Sequence, residues 1–336
     1  MDKKNMQRIS VLARYVNGNH HVEIYSDGTR IRSTGHWEDI GDGNRRWVDD
    51  DQDHFTYAFP ESFDLKVTDY CDGGCAYCHE NSTVKGRHGD LSALDHIVET
   101  IHPGTEIAIG GGNALACPGL LDFLRKLKEK GIIANITVNQ KHAREWSGAM
   151  MRLTQEDLVH GIGISLTDPS AKDDFRFIDQ LGQNVVIHVI AGILTDKDVD
   201  ALIGRKVLIL GYKDLRRGHE LLGRTGDEIH RNIEWLRGYL PSLSNLCRCL
   251  SFDCLGLEQL DPKTALGTSD KDFAQLFQGS DTDVRDAEGN IACGTMYIDL
   301  PNMQVARMST APLDRRYSFT GKESITELLE LSTRGW

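Results

Sequence analysis

Three cysteines stand within eight residues, in the stretch Asp69-Tyr70-Cys71-Asp72-Gly73-Gly74-Cys75-Ala76-Tyr77-Cys78-His79-Glu80. The C-x3-C-x2-C spacing lets three thiolates converge on one centre, and Gly73-Gly74 gives the loop the freedom to curl. Thiolates are soft donors that suit iron–sulfur clusters and zinc. Three of them can hold three irons of a 4Fe–4S cube and leave the fourth iron open to a ligand. A cluster used only for electron transfer is ordinarily closed by a fourth cysteine. The same residues allow two other chemistries. A zinc site would use Cys71, Cys75 and Cys78 with His79 or His88 as fourth ligand. A dithiol pair would use Cys75 and Cys78 alone and leave Cys71 without a role.

The elements that position this loop are legible from periodicity. An apolar run at 63–68 leads into the loop, and five similar runs follow at 106–109, 135–138, 161–165, 185–190 and 206–210. Each has the length of a buried parallel strand, and the gaps leave room for crossover helices. The clearest helix is 119–130, with Leu120, Leu121, Leu124 and Leu127 on one face, charged residues away from it, and Gly131 ending it. Six βα units in succession predict an α/β fold, a partial (β/α)6 TIM-like barrel. In such a barrel chemistry sits at the carboxyl ends of the strands, which is where the cysteine loop begins.

Residues 1–60 read as a β-rich extension, because 20–26 and 29–34 alternate about an Asp27-Gly28 turn. Residues 61–240 form the expected barrel core, and 241–336 an α+β extension. In the second half, 227–240 is helical, with Ile229, Ile233, Leu236 and Leu240 on one face and Pro241 closing it. A short strand is expected at 250–253, a hairpin from 295–300 and 303–308 about Pro301-Asn302, and a last helix at 324–332.

The chain has 336 residues, 40% hydrophobic and 26% charged, which describes a folded globular protein. No apolar run has the length of a membrane span. The first residues lead into no apolar signal core, so a cytoplasmic location is expected and the cysteines stay thiols. With 38 basic and 50 acidic residues the net charge is −12, a poor match to a phosphate backbone, so direct nucleic-acid binding is not expected. The acidic run Asp49-Asp50-Asp51-Gln52-Asp53 lacks the spacing of a calcium loop and reads as solvated. Cys117 reads as packing. Cys247, Cys249, Cys254 and Cys293 read either as buried thiols or as a second metal site.

The C-x3-C-x-aromatic-C spacing after a first strand, with further βα units behind it, resembles the radical S-adenosylmethionine superfamily. The resemblance covers residues 63–212 at fold level. It implies that Cys71, Cys75 and Cys78 ligate a 4Fe–4S cluster and that Tyr77 lies near the adenine of S-adenosylmethionine. Superfamily members commonly carry Gly-Gly-Glu-Pro after the second strand. Here Gly111 and Gly112 match the glycine pair, Asn113 replaces the Glu and Ala114 the Pro. Glycines at a strand end expose carbonyls to a close ligand, and Asn keeps an acceptor oxygen while losing the charge. Read by itself, the glycine run is equally an ordinary turn. Asn139, Ser165, His188 and Tyr212 correspond to strand-end positions that touch the ribose, carboxylate or adenine. Read alone, Ser165 and His188 are satisfied interior polar groups.

The resemblance implies an enzyme. An external donor of flavodoxin or ferredoxin type reduces the cluster, S-adenosylmethionine is cleaved to methionine and a 5′-deoxyadenosyl radical, and that radical takes hydrogen from a substrate. The motifs do not encode the reaction outcome. The β-rich flanks, able to pair with an extended chain, favour a peptide or protein substrate over a nucleotide or other small molecule. The rival of a different class is a non-catalytic zinc-stabilised domain.

Overall fold

The computed structural model describes residues 9–50, 54–276 and 285–336; the first residues of the chain and residues 51–53 of the acidic run fall outside them. Among the described residues the N-terminal extension is a four-stranded antiparallel meander, in the order β1 (Val11–Asn17), β2 (His20–Tyr25), β3 (Arg30–Gly41) and β4 (Asn44–Asp49). The expected hairpin is β2–β3. Its turn holds Gly28 at φ 91°, and Asp27 Oδ1 accepts from the Thr29 N–H at 3.0 Å.

All six apolar runs form strands: β5 (Ser62–Thr68), β6 (Glu106–Gly111), β7 (Ile133–Asn139), β8 (Gly161–Ser165), β9 (Val185–Ile190) and β10 (Lys206–Leu210). Four more follow, β11 (Cys249–Phe252), β12 (Thr295–Asp299), β13 (Gln304–Ala306) and β14 (Tyr317–Ser318). Together they make one sheet in the order β11-β10-β9-β8-β7-β6-β5-β12-β13-β14. Eight of these strands, β12 and β5 to β11, run parallel, and β13 and β14 are antiparallel to their neighbours. The fold is therefore mixed α/β with a large parallel sheet. The two elements expected in the C-terminal extension, β11 and β12, extend that sheet at its two sides, so the run of six is its middle rather than its whole.

Strand β5 shows how sequence sets the layers. Phe63, Leu65 and Val67 are buried under the helices, and Asp64 and Lys66 alternate with them toward the other face. The helix Leu120–Glu129 buries Leu120, Phe123, Leu124 and Leu127 on the same layer, each stabilising by about 1.5–3 kcal/mol, while Leu121 is only half-buried. The expectation that Pro241 ends its helix is corrected. The helix Arg217–Leu246 runs through Pro241 and departs from helical dihedrals only at Thr225. An interior proline costs about 3 kcal/mol. Leu240 and Leu243, both fully buried, lie on either side of it and offset that cost by packing. No helix among the described residues is long and apolar enough to cross a membrane.

The meander is fastened to the amino ends of the parallel strands. Glu61, just before β5, is 1% exposed and takes His20 Nε2 at 2.5 Å, Arg32 at 2.8 Å and Arg30 at 3.3 Å. Arg30 also pairs with Glu106, the first residue of β6. Lys206, opening β10, donates to Asp27 O at 2.6 Å, and Asn184, just before β9, donates to Ser26 O at 2.9 Å. The meander therefore sits at the opposite end of the strands from the cysteine loop. This removes the ground for expecting the N-terminal flank to present an extended chain to that loop.

Burial by itself would raise the Glu61 carboxyl, but the His20 hydrogen bond and the Arg32 and Arg30 charges outweigh it and hold it at about 2 instead of 4.5. Its contribution to stability is then complete above pH 4.5 and is lost as pH falls toward 2. Thermal melts are expected to be flat in this respect near neutrality and to drop through that acid window. Glu61→Gln leaves the buried Arg32 guanidinium without its carboxylate, Arg30 keeping Glu106, and is expected to cost about 3 kcal/mol in urea unfolding. A cost below 1 kcal/mol would show that the hub does not hold the meander.

Candidate metal centre at the carboxyl ends of the strands

The cysteine loop leaves β5 and is pinned by its own continuation. Cys71 N donates to Thr83 O at 2.9 Å, Thr83 N to Asp69 O at 3.1 Å, and Cys78 N to Cys75 O at 3.3 Å. Gly74 adopts φ 68°, which allows the curl. Cys71, Cys75 and Cys78 are free and half-buried. Burial pushes the Cys71 and Cys75 thiols up, and Cys75 is raised further by the charges of Cys78 and Cys71, so the three sulfurs share one pocket.

Their spacing distinguishes between centres. Among the described residues, the one group of three metal-ligating side chains whose atoms all lie within 4.8 Å of each other is Cys71, Asp72 and His142. The three cysteine sulfurs do not close to that distance. Thiolates on a single tetrahedral zinc, at about 2.3 Å from the metal, lie roughly 3.8 Å apart. The three sulfurs as they stand are spread wider than one zinc ion would hold them. The two histidines named for zinc are engaged elsewhere. His79 Nε2 faces Glu80 Oε1 and Lys213 Nζ, each at 3.3 Å. His88 Nδ1 meets Thr68 Oγ1 at 2.9 Å.

Supports for the loop come from β7. Asn139 Nδ2 donates to Cys75 Sγ at 3.5 Å, while Asn139 Oδ1 caps the next helix through Lys141 N at 2.9 Å. His142, buried on that helix, places Nε2 2.8 Å from Asp72 Oδ1. Such contacts around ligands orient them.

The glycine turn after β6 is braced on the same loop. Gly112 N donates to Thr68 O at 2.8 Å and Asn113 N to Tyr70 O at 2.7 Å. A Cβ on Gly112 would lie 2.0 Å from Tyr70 O, and Gly111 sits at φ 113°, so side chains are excluded from both positions. Asn113 is 2% exposed; its amide group lies against Asp72 and helps hold that carboxyl down, while its Oδ1 makes no hydrogen bond. A buried amide oxygen left unpaired costs about 1–3 kcal/mol and marks a place for a ligand's polar group.

Asn139, Ser165 and His188 pair in register across β7, β8 and β9, so all three face the same side at the carboxyl ends. Burial pushes His188 down to about 4, which keeps it neutral at ordinary pH. Its ring occupies the space left by Gly163, where a Cβ would come within 2.3 Å of it. Tyr77 is half-buried, its phenol raised by burial and by Cys75. Tyr212 is placed differently: it is buried, its hydroxyl donates to Gly218 O at 2.7 Å, and Gln259 binds its backbone, so it secures the turn out of β10.

One part of the site had no signal in the sequence. Lys66, 3% exposed, is bonded to Asp69 at 2.6 Å, Glu80 at 2.8 Å and Asp299 at 3.3 Å. Burial opposes ionisation of Glu80, but His79 and Lys66 hold it well below the usual carboxylate range. This network ties the residues just beyond Cys78 to β5 and β12.

The remaining cysteines do not gather. Cys117 is buried and raised to about 11 by burial, Cys249 opens β11, Cys254 lies beyond its other end, and Cys293 is buried with Arg307 Nη1 2.7 Å from its sulfur. Among the described residues none of them belongs to a tight group of three ligating side chains.

No protein-family model and no curated protein matches the sequence. Solved structures of SuiB from Streptococcus suis do match. SuiB bound to the precursor peptide SuiA superposes with TM-score 0.54 at 14% identity, covering 83% of this chain and 66% of SuiB. SuiB bound to S-adenosylmethionine gives 0.53 at 14% identity, covering 84% and 67%. This chain thus spans about two thirds of the length of SuiB. At that identity the likeness is one of architecture, and the architecture of this chain is that of SuiB.

Proposed function

We propose that this chain is a radical S-adenosylmethionine enzyme that acts on a peptide. The observation that carries the reading is the placement of three half-buried thiols, spread wider than one zinc ion requires, at the carboxyl end of β5. Cys71, Cys75 and Cys78 would hold a 4Fe–4S cluster. When bound, the cluster supplies an electron to S-adenosylmethionine, which yields methionine and a 5′-deoxyadenosyl radical.

The chain's own residues bind and orient. Asn113 Oδ1 would accept from the ammonium of the methionine moiety, and the backbone at Gly111 and Gly112 leaves room for its approach. Asn139, Ser165 and neutral His188 offer hydrogen bonds toward the ribose and carboxylate, and Tyr77 an aromatic face toward the adenine. The parallel sheet around them limits water at the point of hydrogen abstraction. A peptide is favoured over a nucleotide because SuiB, which shares the fold, was solved with a precursor peptide. The electron would come from an external flavodoxin or ferredoxin type donor.

Protein purified without oxygen is expected to be brown and to carry about four irons and four sulfides per chain. Cys75→Ala is expected to lose most of that iron and all release of 5′-deoxyadenosine. One zinc per chain with no sulfide would overturn the reading in favour of a zinc-stabilised domain.

Asn113 separates binding from stability. Asn113→Ala removes one unsatisfied buried oxygen together with one contact to Asp72, so its melting temperature should change little. Its affinity for S-adenosylmethionine, measured by calorimetry on the reconstituted protein, should fall about tenfold. Unaltered affinity would remove Asn113 from the cofactor site.

A further inference from the structure

The proposed reaction needs an electron from outside, and the segment 81–87 marks where it enters. This segment turns back from Cys78 and lies flat against the outside of the cysteine loop. Its Thr83 exchanges backbone hydrogen bonds with Cys71 and Asp69, and a Cβ on Gly86 would lie 2.0 Å from Asp69 O. A single thickness of backbone, about 4.8 Å as between paired strands, therefore lies between the Cys71 main chain and this surface.

The side chains on that layer differ in character from the rest of the protein. Val84, at its tip, is 63% exposed, and Lys85 and Arg87 are exposed beside it. Arg216, exposed, adds a cation at this edge; its Nη1 donates to His79 O at 3.0 Å and lies 3.5 Å from Glu80, while the half-buried Arg217 donates to Ser82 O at 2.7 Å and directs its charge toward Cys71 and Cys75. Asp69 and Glu80 turn to the buried Lys66, at 2.6 Å and 2.8 Å, and Asp72, though exposed, is engaged by the buried His142 at 2.8 Å. A basic face with an apolar centre thus overlies Cys71 in a chain whose net charge is −12. An acidic partner would be repelled by most of this protein and steered to this face. An apolar centre inside a charged rim is the usual anatomy of a transient interface.

Resting on the radical S-adenosylmethionine reading, we infer that the face formed by Val84, Lys85, Arg87 and Arg216 docks a small acidic electron-transfer protein carrying a flavin or an iron–sulfur centre. One electron leaves the donor, which is oxidised, and enters the centre held by the cysteines, which is reduced. No bond or proton changes hands.

The test titrates purified flavodoxin into the full-length, cluster-loaded protein and follows flavin fluorescence, in parallel with cluster reduction by reduced flavodoxin and by dithionite. The variants are Lys85→Glu and the double variant Lys85→Glu/Arg87→Glu, compared at equal iron content. The expected result is a rise in Kd of about tenfold for the double variant, a smaller rise for Lys85→Glu, a weakened salt dependence, and unchanged reduction by dithionite. Equal Kd and equal flavodoxin-driven rates in all three proteins would overturn the docking surface. If dithionite releases no 5′-deoxyadenosine from any of them while flavodoxin binding still falls in the variants, the enzyme reading fails and the acidic-partner surface stands.

Discussion

The structure depends on one close approach of backbones. The two successive peptides Asp69–Tyr70 and Tyr70–Cys71, which lead into the first cysteine, are each closely approached by a glycine. Gly86 lies on one side, where a Cβ would stand 2.0 Å from Asp69 O, and Gly112 on the other, where it would stand 2.0 Å from Tyr70 O. No side chain fits at either place, so the continuation of the loop and the turn after β6 clamp the backbone on the two sides of Tyr70 Cα. The position of Cys71 follows from that clamp, and Asn139 and His142 then act on a loop already fixed. The glycine run after β6 is therefore a wall of the cysteine loop.

Strand β5 carries the electrostatic counterpart. Glu61 anchors the meander at its amino end, and Lys66, five residues on, collects three carboxylates near its carboxyl end. Both groups are almost fully buried, which would disfavour their charges without partners. Buried pairs of this kind contribute little net stability against an apolar alternative, but breaking one leaves an uncompensated charge. Their effect is to fix arrangement: the N-terminal sheet at one end of the strands, the cysteine loop at the other.

The six middle strands and the helix Leu120–Glu129 were legible because each is a local pattern, an apolar run or an amphipathic face, whose burial needs no knowledge of the partner. The cysteine loop was legible for the same reason, since Cys71, Cys75 and Cys78 are neighbours in sequence. β12 could not be assigned to the parallel sheet in advance. It pairs with β5 across more than half the chain, and nothing in Thr295–Asp299 says which strand it joins. Pro241 misled because local propensity was outweighed by the packing of Leu240 and Leu243.

The sequence by itself therefore determined the cysteine loop, the strand that carries it, and the glycine turn beside it. Only the tertiary structure decided that Lys66 meets Asp299, 233 residues away, that His142 reaches Asp72, that the Asn113 Oδ1 is buried without a hydrogen bond, and that the β-rich flank lies at the far end from the cysteines. The reason is physical. Spacing along the chain limits which donors can share one centre, whereas burial and charge pairing depend on which distant strands lie side by side, a choice made by the whole core at once.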